Sequence, residues 1–267
     1  MVKLGVNGAC GRMGLRIMAL ACKDNDISLT HAMEHDKHSS FGKDIGSLIG
    51  CKELGIKITD KLPEKNNLDV LIDFSSPSAT IQRVKECSDN GIGIVIGTTG
   101  LSEEQKTEVA SAAKKIPCLM APNMSVGVNL LFDIVAQVAN TLGNEFDVEI
   151  IETHHRLKKD APSGTALRIA ERICETTNRK MKDDVIYGRH GQVGERKKKQ
   201  IGIHAVRSGD TVGIHKVIFD SSDECIEITH NAHSRDTFAS GALRAAKFIA
   251  GRPPGLYNMD DVLKEKK

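Results

Sequence analysis

The run Glu152-Thr153-His154-His155-Arg156-Leu157-Lys158-Lys159-Asp160-Ala161-Pro162-Ser163-Gly164-Thr165-Ala166 gathers the densest chemistry in the chain. Histidine gives or takes a proton near neutral pH, and lysine supplies a fixed positive charge. The segment follows a strand-like pattern and precedes a helix with Ala166, Ile169, Ala170 and Ile173 on one face. The amides of Ser163, Gly164 and Thr165 therefore lie at a helix start, where unpaired N–H groups can cradle a carboxylate. Ser163 or Thr165 serving only as a helix cap accounts for the same residue types. The chemistry expected is proton transfer beside an anionic substrate. A metal centre is disfavoured: His154, His155, His204, His215, His230 and His233 are plentiful, but adjacent histidines at a strand end diverge, and no Cys or carboxylate has ligand spacing. His204, His215 and His230 fall within strand-like runs and are assigned no role.

A second constellation lies near the start. Gly8-Ala9-Cys10-Gly11-Arg12-Met13-Gly14 stands between a strand-like Val2–Asn7 and a helical pattern from about Met13 to Lys23. In that context a glycine-rich turn binds a dinucleotide, because glycine lets the backbone approach a pyrophosphate and the helix start favours its charge. The spacing G-x-x-G-x-x-G also suits a structural tight turn. Glu34, 20 residues after Gly14 at the end of a second predicted strand, favours the cofactor reading, since a carboxylate there accepts hydrogen bonds from the adenine ribose. Gly97-Thr98-Thr99-Gly100 and Ala121-Pro122-Asn123-Met124-Ser125 each follow a predicted strand, at the edge where open α/β sheets bind ligands. Their composition suits ordinary turns equally well.

The elements that must position these residues read in two parts. Strands at 2–7, 27–33, 69–73, 92–96 and 117–121 alternate with helices, including Ser78–Asn90 and Ser102–Lys115, which predicts a Rossmann-type parallel sheet. After Asp147 the pattern becomes strand, loop and helix, then three alternating runs near 199–207, 211–219 and 224–230 joined by Ser208-Gly209-Asp210 and Asp220-Ser221-Ser222. This predicts an α+β domain with a mostly antiparallel, mixed sheet. The expected division is a dinucleotide-binding domain at 1–125, a substrate-binding and oligomerisation domain at 126–235, and a closing helix, 236–267, returning to the first.

A net charge of +2 and 3% aromatic residues argue against a nucleic-acid partner. The basic run Glu195-Arg196-Lys197-Lys198-Lys199 reads as a solvated loop. Val126 to Ala139, the most apolar stretch, is interrupted by Asn129 and Asp133 and is too short for a membrane span. Seven cysteines without a CxxC pair, in a chain whose first residues read as a strand and not a leader, are expected to be reduced thiols of a cytoplasmic protein.

Gly11-Arg12-Met13-Gly14, Gly97-Thr98-Thr99-Gly100, Ser125-Val126-Gly127-Val128-Asn129 and the run from His154-His155 to Ala166 together resemble the dihydrodipicolinate reductases, nearly end to end. The resemblance implies hydride transfer from NADH or NADPH to a cyclic unsaturated dicarboxylate, 4-hydroxy-tetrahydrodipicolinate, with loss of water, in the diaminopimelate route to lysine. It implies His154 as general acid with Lys158 as its partner, and His155, Ser163, Gly164 and Thr165 as carboxylate ligands. Cofactor contacts would fall on Gly8, Ala9, Cys10, Gly11, Arg12, Met13, Glu34, Gly97, Thr98, Thr99, Ala121, Pro122, Asn123 and Met124. Relatives that use NADPH well often carry Arg directly after the ribose-binding acid; this chain has His35 and then Asp36, which leans toward NADH, while Arg12 and Lys37 remain available to a 2′-phosphate. The family is typically a homotetramer built through the second domain's sheet. Arg235 and Phe238, before the last helix, are left without a role. Two other classes stay open from the residues alone: a different small NAD-linked dehydrogenase, and a cofactor-sensing regulator that needs no proton donor.

Overall fold

The computed structural model describes residues 1–64 and 67–265. It divides into two compact units, one made of Met1–Val126 with the chain from Arg235 onward, the other of Gly127–Ser234.

The first unit opens with β1 (Val2–Asn7), α1 (Arg12–Ala21) and β2 (Ile27–Met33), then a short α2 (Gly46–Ile49) and β3 (Ile58–Thr59) that the sequence reading did not anticipate. There follow β4 (Val70–Asp73), α3 (Pro77–Asn90), β5 (Gly93–Ile96), α4 (Glu103–Ala112) and β6 (Pro117–Met120). Every residue of β4 and β5 is buried, as expected for central strands of a parallel sheet covered on both faces. The chain runs outward from β1 through β2 to β3, then returns to place β4, β5 and β6 on the other side of β1. All these pairings are parallel. The order therefore reverses between β1 and β4, and a crevice opens where their carboxyl ends diverge.

The region expected as one closing helix is α8 (Asp236–Ile249), then β12 (Gly255–Tyr257), then α9 (Met259–Lys264); residues 266 and 267 of that expected helix lie outside the described residues. β12 adds a seventh strand beside β6. α8 is pinned to α1 by Arg16–Asp236 at 2.6 Å and to the turn after α1 by Lys247–Asp24 at 2.8 Å. It passes so close to the 121–125 loop that a Cβ on Gly241 would stand 1.7 Å from the Met124 carbonyl oxygen.

In the second unit, α5 (Val126–Leu142) and α6 (Gly164–Thr176) cover one face of a five-stranded mixed sheet. Its strands are β7 (Asp147–His154), β8 (Val185–Tyr187), β9 (Ile201–Arg207), β10 (Gly213–Asp220) and β11 (Cys225–Ala232), ordered β11-β10-β7-β9-β8. A short α7 (Met181–Asp184) precedes β8. β10 pairs antiparallel with β7 and β11, whereas β9 pairs parallel with β7 and β8. The turn at 208–210 is thus not a hairpin between neighbours, as its Ser-Gly-Asp composition suggests. β7 lies between β9 and β10, and the turn arches over its end, with the Ser208 amide donating to the His154 carbonyl (2.9 Å) and the Arg156 amide to the Gly209 carbonyl (3.0 Å). The basic run is not wholly solvated either: Arg196 binds Asp147 at 2.6 Å and Glu149 at 3.1 Å. Among the described residues no helix is long and apolar enough to cross a membrane.

Candidate active site

A cleft of about 600 Å³ in the first unit is lined by Asn7, Gly8, Gly11, Glu34, Asp36, Asp60, Phe74, Ser75 and Arg83, among others. Gly8 holds φ +74°, and a Cβ there would stand 2.3 Å from the Phe74 carbonyl oxygen. One on Gly14 would stand 2.2 Å from the Gly8 carbonyl oxygen. Only glycine lets the turn close this tightly. Gly11 is the N-cap of α1, and its missing side chain leaves the first helical N–H groups without a side-chain cap, open toward a phosphate. Glu34 joins the same wall: its carboxylate accepts from the Cys10 amide and the His35 amide, both at 3.2 Å. The turn and the ribose candidate are thus brought together, and the cradle fits a dinucleotide.

The other two loops arrive differently. A Cβ on Gly97 would enter the Phe74 ring, and the Thr98 hydroxyl is committed inside the fold, donating to Asp73 (2.8 Å) and accepting from the Ser75 amide (2.9 Å). Thr99 is exposed. Ala121 and Met124 are buried in the core, the Ala121 amide donating to the Ile96 carbonyl (3.2 Å) and the Met124 carbonyl lying against α8 at Gly241, while Pro122 is exposed. Sequence reasoning missed Asp73, the fully buried hub that also accepts from Asn7 (2.5 Å), Ser75 (2.7 Å) and Thr80 (2.5 Å). It missed Arg83 as well, which is buried and donates to Asn7 (3.2 Å) and to the Asp60 carbonyl (2.7 Å).

The second unit holds a denser cluster. The alternation that turns Val148 and Ile150 into the core continues to Glu152, so a carboxylate is carried onto the buried face, with His154 next on that side. Register brings His215 opposite Glu152 and Arg207 opposite His154. Glu152 accepts from His154 Nδ1 (2.5 Å), from the Ser163 amide (3.0 Å) and from both terminal nitrogens of Arg207 (2.9 and 2.8 Å). Burial alone would push its pKa up; these hydrogen bonds outweigh burial and hold it at about 2. His215 is buried, and burial first, with the neighbouring His154 second, pushes it down to about 3. Its Nε2 meets the Ser163 hydroxyl at 3.0 Å.

Ser163 also caps α6, its hydroxyl accepting from the Ala166 amide at 3.2 Å, so the capping reading holds and the helix start lies within the cluster. Lys158 is held by Asp160 at 2.8 and 2.9 Å, and its ammonium keeps that carboxylate below its ordinary range. His155 Nδ1 is buried with no hydrogen-bond partner among the described residues. His204 lies elsewhere, on Glu149 at 2.7 Å. Arg207 and His215 were invisible as site residues because strand pairing brings them in; their one signal was an Arg and a His in strand-like runs. Among the described residues no group of three or more metal-ligating side chains assembles.

Such a Rossmann-type nucleotide-binding unit and a mixed-sheet unit with a histidine-centred cluster define an oxidoreductase. The model of dihydrodipicolinate reductase, N-terminus, matches residues 2–124, and that of its C-terminus matches residues 127–263. The 4-hydroxy-tetrahydrodipicolinate reductase of Hahella chejuensis is 48% identical over 264 residues, covering 98% of this chain and 99% of the relative. That of Syntrophus aciditrophicus is 47% identical, covering 98% of each. The dipicolinate-bound dihydrodipicolinate reductase from Paenisporosarcina sp. TG-14 shares the fold, with a TM-score of 0.74 at 24% identity and 97% of both chains covered. The chain belongs to the dihydrodipicolinate reductase family.

Proposed function

We propose that the chain reduces 4-hydroxy-tetrahydrodipicolinate to tetrahydrodipicolinate with loss of water, in the diaminopimelate route to lysine. The observation that carries this reading is the cluster at the head of β7, where an imidazole held by a buried carboxylate adjoins a helix start. That pairing suits a proton donor beside an anionic ring. Bound NADH or NADPH supplies the hydride. Gly8, Ala9, Cys10, Gly11, Arg12 and Met13 would hold its pyrophosphate and Glu34 its adenine ribose. Gly97, Thr98, Thr99, Ala121, Pro122, Asn123 and Met124 would line the rest. His154 gives the proton, and Lys158, moving from Asp160, stabilises the electron-rich ring. His155, Ser163, Gly164 and Thr165 bind carboxylate.

NADH is the preferred donor in this reading, because Glu34, Asp36 and Asp60 all line the cleft and would face a 2′-phosphate. The protein acts as a cytoplasmic homotetramer. The supports are seven free thiols and a sheet face, bearing Ile151, His204 and Ile218, on the side away from α5 and α6. The test is loss of 340 nm absorbance with freshly generated substrate, comparing NADH with NADPH. Turnover is expected, cut about 10²- to 10⁴-fold in His154→Gln and reduced in Lys158→Ala, with cofactor binding kept in both. Cofactor binding without turnover would instead favour a regulator or a different dehydrogenase.

A further inference from the structure

We infer that Glu152 is a positioning residue for the reaction: clamped by Arg207 and the Ser163 amide, it fixes the His154 ring so that Nδ1 keeps its proton and Nε2 delivers one. This rests on the reading of His154 as the proton donor.

The argument starts from cost. The Glu152 side chain has no exposed surface, and a buried ion pair is weak evidence for stability, because desolvating both charges offsets their attraction. Glu152 nevertheless receives four hydrogen bonds, two of them from the planar fork of Arg207, the arrangement that fixes a carboxylate most firmly. What the clamp determines is the imidazole. An ionised carboxylate only accepts, so the 2.5 Å contact requires His154 Nδ1 to be the donor. Nε2 is then the nitrogen free for proton exchange. It stands beside Gly213, where a Cβ would come within 3.1 Å of it, so the absent side chain leaves that approach open.

The other groups facing the ring do not fix it. His215, from β10, lies edge-on at 5.2 Å between ring centres and is bonded to Ser163. Lys158 and Asp160, from the following loop, are bonded to each other. Arg207, from β9, reaches Glu152 and the Asp160 carbonyl. Because the Ser163 amide is part of the clamp, the same carboxylate also sets the distance between His154 and the helix start proposed to take the substrate's carboxylate.

A double-mutant cycle tests this. kcat at saturating NADH and substrate is measured for the native protein, Glu152→Gln, His154→Gln and the double variant, with NADH affinity from fluorescence and thermal melts as controls. Glu152→Gln is expected to lower kcat about 10²-fold, to leave NADH affinity within about twofold, and to cause no further loss in the His154→Gln background, as for two groups acting as one unit. A loss that multiplies with that of His154→Gln overturns the inference and leaves the proton-donor reading standing. Unchanged kcat in His154→Gln overturns both. If Glu152→Gln does not accumulate as folded protein, Arg207→Lys, which keeps the charge and loses the fork, replaces it in the cycle and is judged by the same rule.

Discussion

Replacing His215 with glutamine is expected to flatten the acid side of the stability curve. In the fold His215 is 4% exposed, and burial pushes it down to about 3. The unfolded chain lets it titrate near the ordinary 6.5. Between these values the unfolded state binds a proton that the folded state refuses, so this contribution is fully present above pH 6.5 and is lost as pH falls toward 3. At about 1.4 kcal/mol per pH unit well inside that window, with half-titration at 6.5, the loss from pH 7 to pH 5 comes to about 2 kcal/mol. Glutamine has no titrating group and keeps a polar atom near the position of Nε2, within reach of the Ser163 hydroxyl. The assay is urea unfolding of both proteins at pH 7 and pH 5. His31 and His230, also pushed down by burial, contribute to both slopes and cancel in the difference. The native protein is expected to lose about 2 kcal/mol more than His215→Gln. Equal losses would refute the argument that His215 is buried in its neutral form.

The glycine turn gives a second test. In Gly14→Ala the new Cβ starts 2.2 Å from the Gly8 carbonyl oxygen, where ordinary contact begins at 3.4 Å, so α1 and the turn must part by about 1.2 Å. Overpacking of this kind costs about 1–3 kcal/mol, and isothermal titration is expected to show NADH affinity reduced about tenfold or more. In Asp36→Asn one carboxylate leaves the cofactor cleft, and the KM for NADPH is expected to fall about fivefold, worth roughly 1 kcal/mol, while that for NADH holds. An unchanged NADPH-to-NADH ratio would separate cofactor preference from the acidic rim. Acidification also tests the Glu152 clamp. Its pKa is depressed from 4.5 to about 2, so its contribution to stability is present above pH 4.5 and lost as pH falls through 2. Glu152→Gln is expected to lose less stability than the native protein over that interval.

What could be read early was what depends on neighbours in the chain. The turn from Gly8 to Gly14, Glu34 at the end of β2 and the helix start at Ser163 all follow from local periodicity and backbone requirements, and the structure brings the first two into one cleft. β12 escaped notice because three residues carry no period to detect. The 208–210 turn does not join neighbouring strands, because turn composition says where a chain bends, not which strand it lies beside.

By itself the sequence determined that a Rossmann-type half precedes an α+β half, and which segments carry reactive side chains, because alternation and glycine spacing are written over a few residues. Only the tertiary structure decided what those side chains meet. Asp73 reaches Asn7 across 66 residues, Arg207 reaches Glu152 across 55 and His215 reaches Ser163 across 52. Each of these meetings depends on strand order and register, and therefore on how whole faces bury against one another. A shift of one residue in β9 would turn Arg207 to the opposite face of the sheet and take its fork from Glu152, and one in β10 would turn His215 away from Ser163.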